Sequence, residues 1–174
     1  MKAMKKVLVS ALAAALVVTA AAPAGAATSP VKAPKAINGK ATVKGVTVKT
    51  SKKGTATVTT VKSKKATVKV AATIKVKGVT YKVTAIGANA FKNCKKVKKI
   101  SVGKNVKTIG KNAFKGCKKL KTITLANKKV TIKKGAFAGL NTKKITIKAP
   151  KMSKKALEKF KKALKKAGFK GKVK

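Results

Sequence analysis

The sequence predicts an α+β repeat solenoid, a short stack of about three 23-residue repeats with an N-terminal β cap and a C-terminal helical cap. Three observations carry this. Phe91, Phe114 and Phe137 recur at an interval of 23 residues, and Ile86, Ile109 and Ile132 share that interval. The stretch before them alternates Val with Thr or Lys. The stretch after them places apolar residues at helical intervals.

Taken in order, the chain opens on the cationic "MKAMKK", then the apolar "VLVSALAAALVV" (7–18) and the small residues "TAAAPAGAA". That order is the order of a secretory signal, with cleavage expected at Ala24-Gly25-Ala26. The apolar run is short for a membrane anchor, which needs about 20 residues. The mature form is therefore expected to be secreted, extracellular or cell-wall associated, with no integral span. The expected organisation is a signal peptide at 1–26, a linker with Pro30 and Pro34 at 27–36, a β-strand cap at 37–77, repeats at 78–148 and the helical cap at 149–174.

In the β cap, "ATVKGVTVKT", "GTATVTTVK" and "KATVKVAATIKVKG" alternate apolar with polar residues. This predicts antiparallel strands covered on one side, with turns at Gly54 and at 63–65. The repeats follow as "IGANAFKNCKKVKKISV", "IGKNAFKGCKKLKTITL" and "IKKGAFAGLNTKKITI". In the second, "LKTITL" reads as a short strand with Ile123 and Leu125 on one side. "IGKNAFKGC" returns across the other wall as turn and short helix. The repeat core is expected at Ile86, Phe91 and Cys94, at Ile109, Phe114 and Cys117, and at Ile132, Phe137 and Leu140. The third copy lacks the Cys and reads as one residue short, so Ile145 is expected to stack on Ile123 as Ile123 does on Ile100. One copy cannot bury its apolar face alone, and a period of 23 falls within the leucine-rich repeat range.

The pattern IGxxAFxxCxxLxxIxL resembles the BspA-like bacterial leucine-rich repeat, and "VKGVTYKVTAIGANAF" resembles the usual lead-in to it. The match is close over 86–125 and looser to Ile147. The resemblance implies a secreted or surface protein of adhesion or host contact, and it brings no catalytic residue to carry over.

Beyond Pro150, Ser153 is a suitable N-cap for "KKALEKFKKALKKAG", whose Ala156, Leu157, Phe160, Ala163, Leu164 and Ala167 form one stripe up to Gly168. Such a helix suits a membrane surface, but a solenoid end needs a lid, which favours a cap followed by a strand in "FKGKVK".

The chemical inventory excludes most catalysis. Glu158 is the one acidic residue, and there is no His, Arg, Asp or Trp. No triad, carboxylate pair or metal shell can be assembled, so no enzyme activity, cofactor or metal is expected. Glu158 is expected to pair with Lys162. Cys94 and Cys117 fall on adjacent rungs, about 4.8 Å apart. That distance allows a disulfide, but side chains pointing the same way suit it poorly, and two reduced thiols in the core are expected.

The remaining signal is charge. The chain carries 47 lysines and a net charge of +46. The repeat aligns Lys98, Lys121 and Lys144, Lys95 with Lys118, Lys96 with Lys119, and Lys111 with Lys134; Lys99 and Lys143 flank them. Like charges about 5 Å apart cost roughly 0.8 kcal/mol per pair in water, and ordinary solvated surfaces mix both signs. A polyanion would relieve this. Lysine without arginine argues against bidentate recognition, and the few aromatics leave no stacking platform for single strands. The expected partner is an anionic polysaccharide or teichoic acid, with host glycosaminoglycan and extracellular DNA as further candidates. The candidate surface is Lys95, Lys96, Lys98, Lys99, Lys118, Lys119, Lys121, Lys143 and Lys144. The alternatives are a membrane-active cationic protein and an envelope spacer without a specific ligand.

Overall fold

In the computed structural model, residues 35–92 and 94–174 are described. The expected signal segment and residues 27–34 of the linker lie outside them. The described residues build two sheets. The first has strand order β1 (Gly39–Val43), β2 (Val46–Thr50), β3 (Thr55–Val61), β6 (Val79–Ile86), β8 (Thr108–Ile109) and β10 (Thr131–Ile132), with β5 (Thr73–Val76) beside β6. The second runs β4 (Thr67–Val70), β7 (Lys99–Val102), β9 (Thr122–Leu125), β11 (Thr146–Lys148) and β12 (Lys172–Val173). Helix α1 (Lys154–Lys166) lies between the last two strands in sequence.

The repeat period becomes register. Ile86, Ile109 and Ile132 are partners across β6, β8 and β10, and Ile100 pairs with Ile123 across β7 and β9, all in parallel. Between the two walls the aromatic rings stack. Phe91 and Phe114 have centroids 5.4 Å apart, and Phe114 and Phe137 are 5.5 Å apart. The column then continues to Phe169 beyond α1, at 4.9 Å. That residue has no place in the 23-residue repeat pattern. Ile86, Phe91, Cys94, Ile109, Phe114, Cys117 and Phe137 are buried, while Ile132 and Leu140 of the last copy are only partly so.

Close stacking dictates the small residues between the apolar ones. A Cβ on Gly110 would lie 2.8 Å from the Ala88 nitrogen of the preceding rung. Gly116 has φ +88° and would drive a Cβ into the Lys92 carbonyl. Asn89, Asn112 and Gly135 occupy one repeat position, and all three have left-handed φ, at +56°, +54° and +76°. Asn and Gly are the residues that tolerate it.

Three expectations need correction. The 37–77 segment is not purely an antiparallel cap. β1, β2 and β3 do pair antiparallel; a Lys44–Gly45 turn with φ +49° and +78° joins the first two, and the expected turn at Gly54, φ +69°, leads into β3. Yet β3 pairs parallel to β6 and β4 parallel to β7, so 55–70 forms a rung ahead of the recognisable repeats. The β5–β6 hairpin, turning at Lys77–Gly78, separates that rung from the next and hides its period. Second, the residue in register with Ile123 is Ile147, not Ile145. The third copy is longer rather than shorter, because a 3-10 turn at Thr142–Lys144 takes up the extra residue. Third, Glu158 bonds Lys161 at 2.8 Å, one residue short of the expected Lys162.

The helix begins where its sequence says. Ser153 Oγ accepts from the Ala156 amide, and the apolar stripe turns Phe160, Leu164 and the following Ala167 inward, while Ala156 and Leu157 are half-buried and Ala163 is exposed. β12 then pairs parallel to β11, extending the second sheet.

The cysteines are free and buried. Each thiol donates to a carbonyl of the rung before it, Cys94 Sγ to Val61 O at 3.2 Å and Cys117 Sγ to Phe91 O at 3.4 Å. Burial raises both thiol pKa values, and that of Cys117, raised further by Cys94, reaches about 12. A raised acid pKa leaves the thiol's contribution intact below the unfolded value near 9 and removes it as pH climbs toward 12. At neutral pH both thiols stay protonated and inert.

Two outcomes test this architecture. Phe114→Ala should destabilise the protein by about 3 to 5 kcal/mol, as truncation of a buried aromatic does. Equilibrium urea unfolding measures it, and an unchanged midpoint would remove the stacked core. Iodoacetamide at pH 8 should leave both thiols unmodified in the native protein and alkylate both in denaturant. Rapid native labelling, read by intact mass, would contradict the buried ladder.

Candidate polyanion-binding surface

Every described lysine is solvent-exposed except Lys161, which is partly covered and holds the Glu158 carboxylate. That ion pair, Lys161 first, keeps the Glu158 carboxyl below its ordinary pKa. No other acidic side chain exists to neutralise the surface. Among the described residues no group of three or more His, Cys, Asp or Glu side chains converges on a metal position. No described helix is long and apolar enough to cross a membrane.

The expected ladders are realised unevenly. Lys121 donates its amide to the Lys98 carbonyl at 2.8 Å, which places these two on successive rungs. Lys95 and Lys96, and Lys118 and Lys119, sit in successive tight turns closed by Val97 N–H to Cys94 O and Leu120 N–H to Cys117 O. Stacked turns put these four in two short rows.

Lys144 departs from the expected ladder. Thr146 donates to Lys121 O, so the backbone position above Lys121 belongs to Ile145, which is buried. The added residue of the third copy causes this. Lys144 instead joins Lys118, Lys119 and Lys121 around a groove of about 550 Å³, floored by Leu120, Leu140 and Ile145. Lys143 and the preceding-rung lysines, Lys95, Lys96, Lys98 and Lys99, do not line it. Lys99 lies between Thr67 and Thr122 on its neighbours, so it sits within a column of hydroxyls rather than of lysines.

The basic corner also extends beyond the expected residues. Lys98 N–H donates to Ala66 O at 2.7 Å, so 63–66 lies one rung before Lys98. Here Lys44, Lys62, Lys64, Lys65 and Lys69 line a second groove, of about 420 Å³. "VKSKKATVKV" parallels "CKKVKKISV" in the later copy, and that likeness is the signal that could have found them. Without a Phe or Cys the segment does not stand out as a repeat.

The geometry is that of a leucine-rich repeat stack, and comparison agrees. The family described as BspA type leucine rich repeat region matches residues 79–174, in six copies. The chain belongs to this family. Six matched copies exceed the three counted from Phe and Ile; in the second sheet β12 falls within the matched residues and β4 precedes them. Its flanking strands keep the backbone pairing without the conspicuous side chains.

The fold is similar to that of a leucine-rich repeat protein from Bacteroides capillosus ATCC 29799, at 26% identity and a TM-score of 0.58 over 66% of this chain and 86% of that one. It is also similar to a leucine rich cell surface protein from Faecalibacterium prausnitzii A2-165, at 25% identity and a TM-score of 0.52 over 63% of this chain. The match spans only 32% of that longer protein. Comparison with curated proteins yields no match.

A double-mutant cycle on Lys98→Gln and Lys121→Gln tests the row. Removal of either charge should stabilise slightly, and the two effects should be less than additive, with a coupling of up to about 0.8 kcal/mol at low salt. The coupling should vanish at 1 M salt, where the Debye length is about 3 Å. Strict additivity at low salt would mean that the two charges do not interact.

Proposed function

We propose that this protein is a secreted or surface leucine-rich repeat binder, not an enzyme, that associates electrostatically with anionic polymers of the cell envelope or of a host surface. Teichoic acid and acidic glycans are the favoured ligands. The observation that carries the reading is the exposure of the lysines on a rigid stack, with one paired carboxylate among them. A rigid scaffold loses little conformational freedom on binding, and each neutralised ligand charge releases a counterion. The described neighbour from Faecalibacterium is a cell surface protein, and the same setting suits this chain.

Selectivity should be low. Lysine ammonium groups are point charges on flexible stems, so they track charge density rather than ligand shape. The membrane-active reading is less well supported, because the apolar stripe of α1 is engaged inside the fold: Phe160 is 6% and Leu164 1% exposed. Insertion would require α1 to leave the core.

Binding to labelled heparin across a salt series tests the proposal, with a neutral glycan as control. If about eight lysines engage and the ligand behaves like B-DNA, log affinity should fall against log salt with a slope near −7. Heparin, teichoic acid and duplex DNA should compete in order of charge density. Replacement of Lys118, Lys119, Lys121 and Lys144 by Gln should make the slope shallower by about 3 to 4 while the protein stays folded. Tight binding to the neutral glycan, or a slope near zero, would overturn the reading.

A further inference from the structure

The two sheets do not end together. The first stops at β10, while the second continues through β11 to β12. The chain between β11 and β12 forms α1 instead of another strand on the first sheet, so among the described residues β10 keeps an open outer edge. Thr131 and Lys133 donate their amides toward β8, to Lys107 O at 2.8 Å and Ile109 O at 2.9 Å. Alternation along a strand therefore turns the N–H and C=O of Ile132 to the open side.

Between this edge and α1 lies a groove of about 850 Å³. Its floor is apolar, with Val130 and Ile132 from the β10 side and Met152, Ala156 and Phe160 from the α1 side. Lys107, Lys128, Lys129 and Lys159 also line it, and all four are solvent-exposed. The groove thus offers three things at once: unpaired backbone, apolar floor and positive rim.

We propose that this groove takes an extended acidic peptide of another protein, alternating apolar and carboxylate residues, which adds to β10 as a further strand. Strand addition supplies main-chain hydrogen bonds from the edge and specificity from alternate side chains. With a side-chain period of two, apolar residues enter the floor while carboxylates rise to the lysines.

Other occupants fit less well. An acyl chain would match the floor, but it would desolvate the Ile132 N–H and C=O without replacing their hydrogen bonds. A second copy brings the same positive charge, and its one carboxylate, Glu158, already bonds Lys161. Residues 1–34 carry four lysines and no acidic residue, so they cannot answer the rim either. Charge complementarity and the free edge together select an acidic strand.

The test uses the full chain and an acetylated eight-residue peptide alternating valine and glutamate. Binding is followed by fluorescence anisotropy and by amide hydrogen exchange. Exchange at Ile132 should slow at least tenfold on saturation. N-methylation of alternate peptide amides should weaken binding at least tenfold, and so should removal of the apolar residues, as in octaglutamate. Ala163 is exposed and lines the groove. Ala163→Trp should fill it and weaken peptide binding at least tenfold, with heparin affinity unchanged.

Octaglutamate binding as tightly as the alternating peptide would overturn the proposal and leave only general charge attraction. So would an unaltered Ile132 exchange rate in the saturated wild-type chain, a result that does not depend on any variant folding. Protection of Ile132 by dodecyl phosphate but not by the peptide would assign the groove to a lipid instead. Concentration-dependent self-association that protects Ile132 without any peptide would assign it to a second copy.

Discussion

Each rung of this protein hydrogen-bonds its backbone to the rung before it, and that register fixes nearly everything else. Parallel pairing of β6 with β8 and of β8 with β10 puts like residues over one another at strand spacing. The apolar columns follow directly, with Ile on both walls and Phe through the middle. So do the steric demands at Gly110 and Gly116, where no room remains for a Cβ between neighbouring backbones. The buried thiols obey the same constraint. Each reaches back to a carbonyl of the preceding rung instead of joining its neighbour in a disulfide.

The register that builds the core also sets the charges in rows. A lysine at a fixed offset in one copy lies beside the lysine of the next, as Lys98 does beside Lys121. Packing gains and charge repulsion therefore come from the same geometry and cannot be separated by rearranging the fold. The chain has one carboxylate with which to offset the repulsion, and Lys161 occupies it. An external anion is the physical complement to such a surface, and solvent and salt provide partial relief meanwhile.

Departures from the period localise the distinctive features. The β5–β6 hairpin interrupts the stack after its first rung, and Lys62, Lys64 and Lys65 are carried on that rung. The 3-10 turn at Thr142–Lys144 shifts the third copy, burying Ile145 and swinging Lys144 toward Lys118 and Lys121. The replacement of a strand by α1 leaves β10 open among the described residues and creates the groove beside it. Regular rungs supply the scaffold, and irregular ones supply its concavities.

The sequence alone determined the repeat and its family, because Phe91, Phe114 and Phe137 must fill identical volumes and tolerate little variation. It also determined the Ser153 cap and the inward stripe of α1, which depend on spacing within a few residues. Tertiary structure alone decided what depends on pairing between distant segments. Parallel pairing of β4 with β7 needs only backbone, and the likeness of 61–70 to the later copy lacks the Phe and Cys that make a rung conspicuous. Ile147 rather than Ile145 faces Ile123, because one added residue can be absorbed in a turn that composition does not reveal. Phe169 completes the aromatic column from outside the repeat, since the last ring needs a covering surface whatever part of the chain supplies it. The lysines were legible as residues, but their grouping into grooves was not, because side chains meet there only once the rungs are stacked.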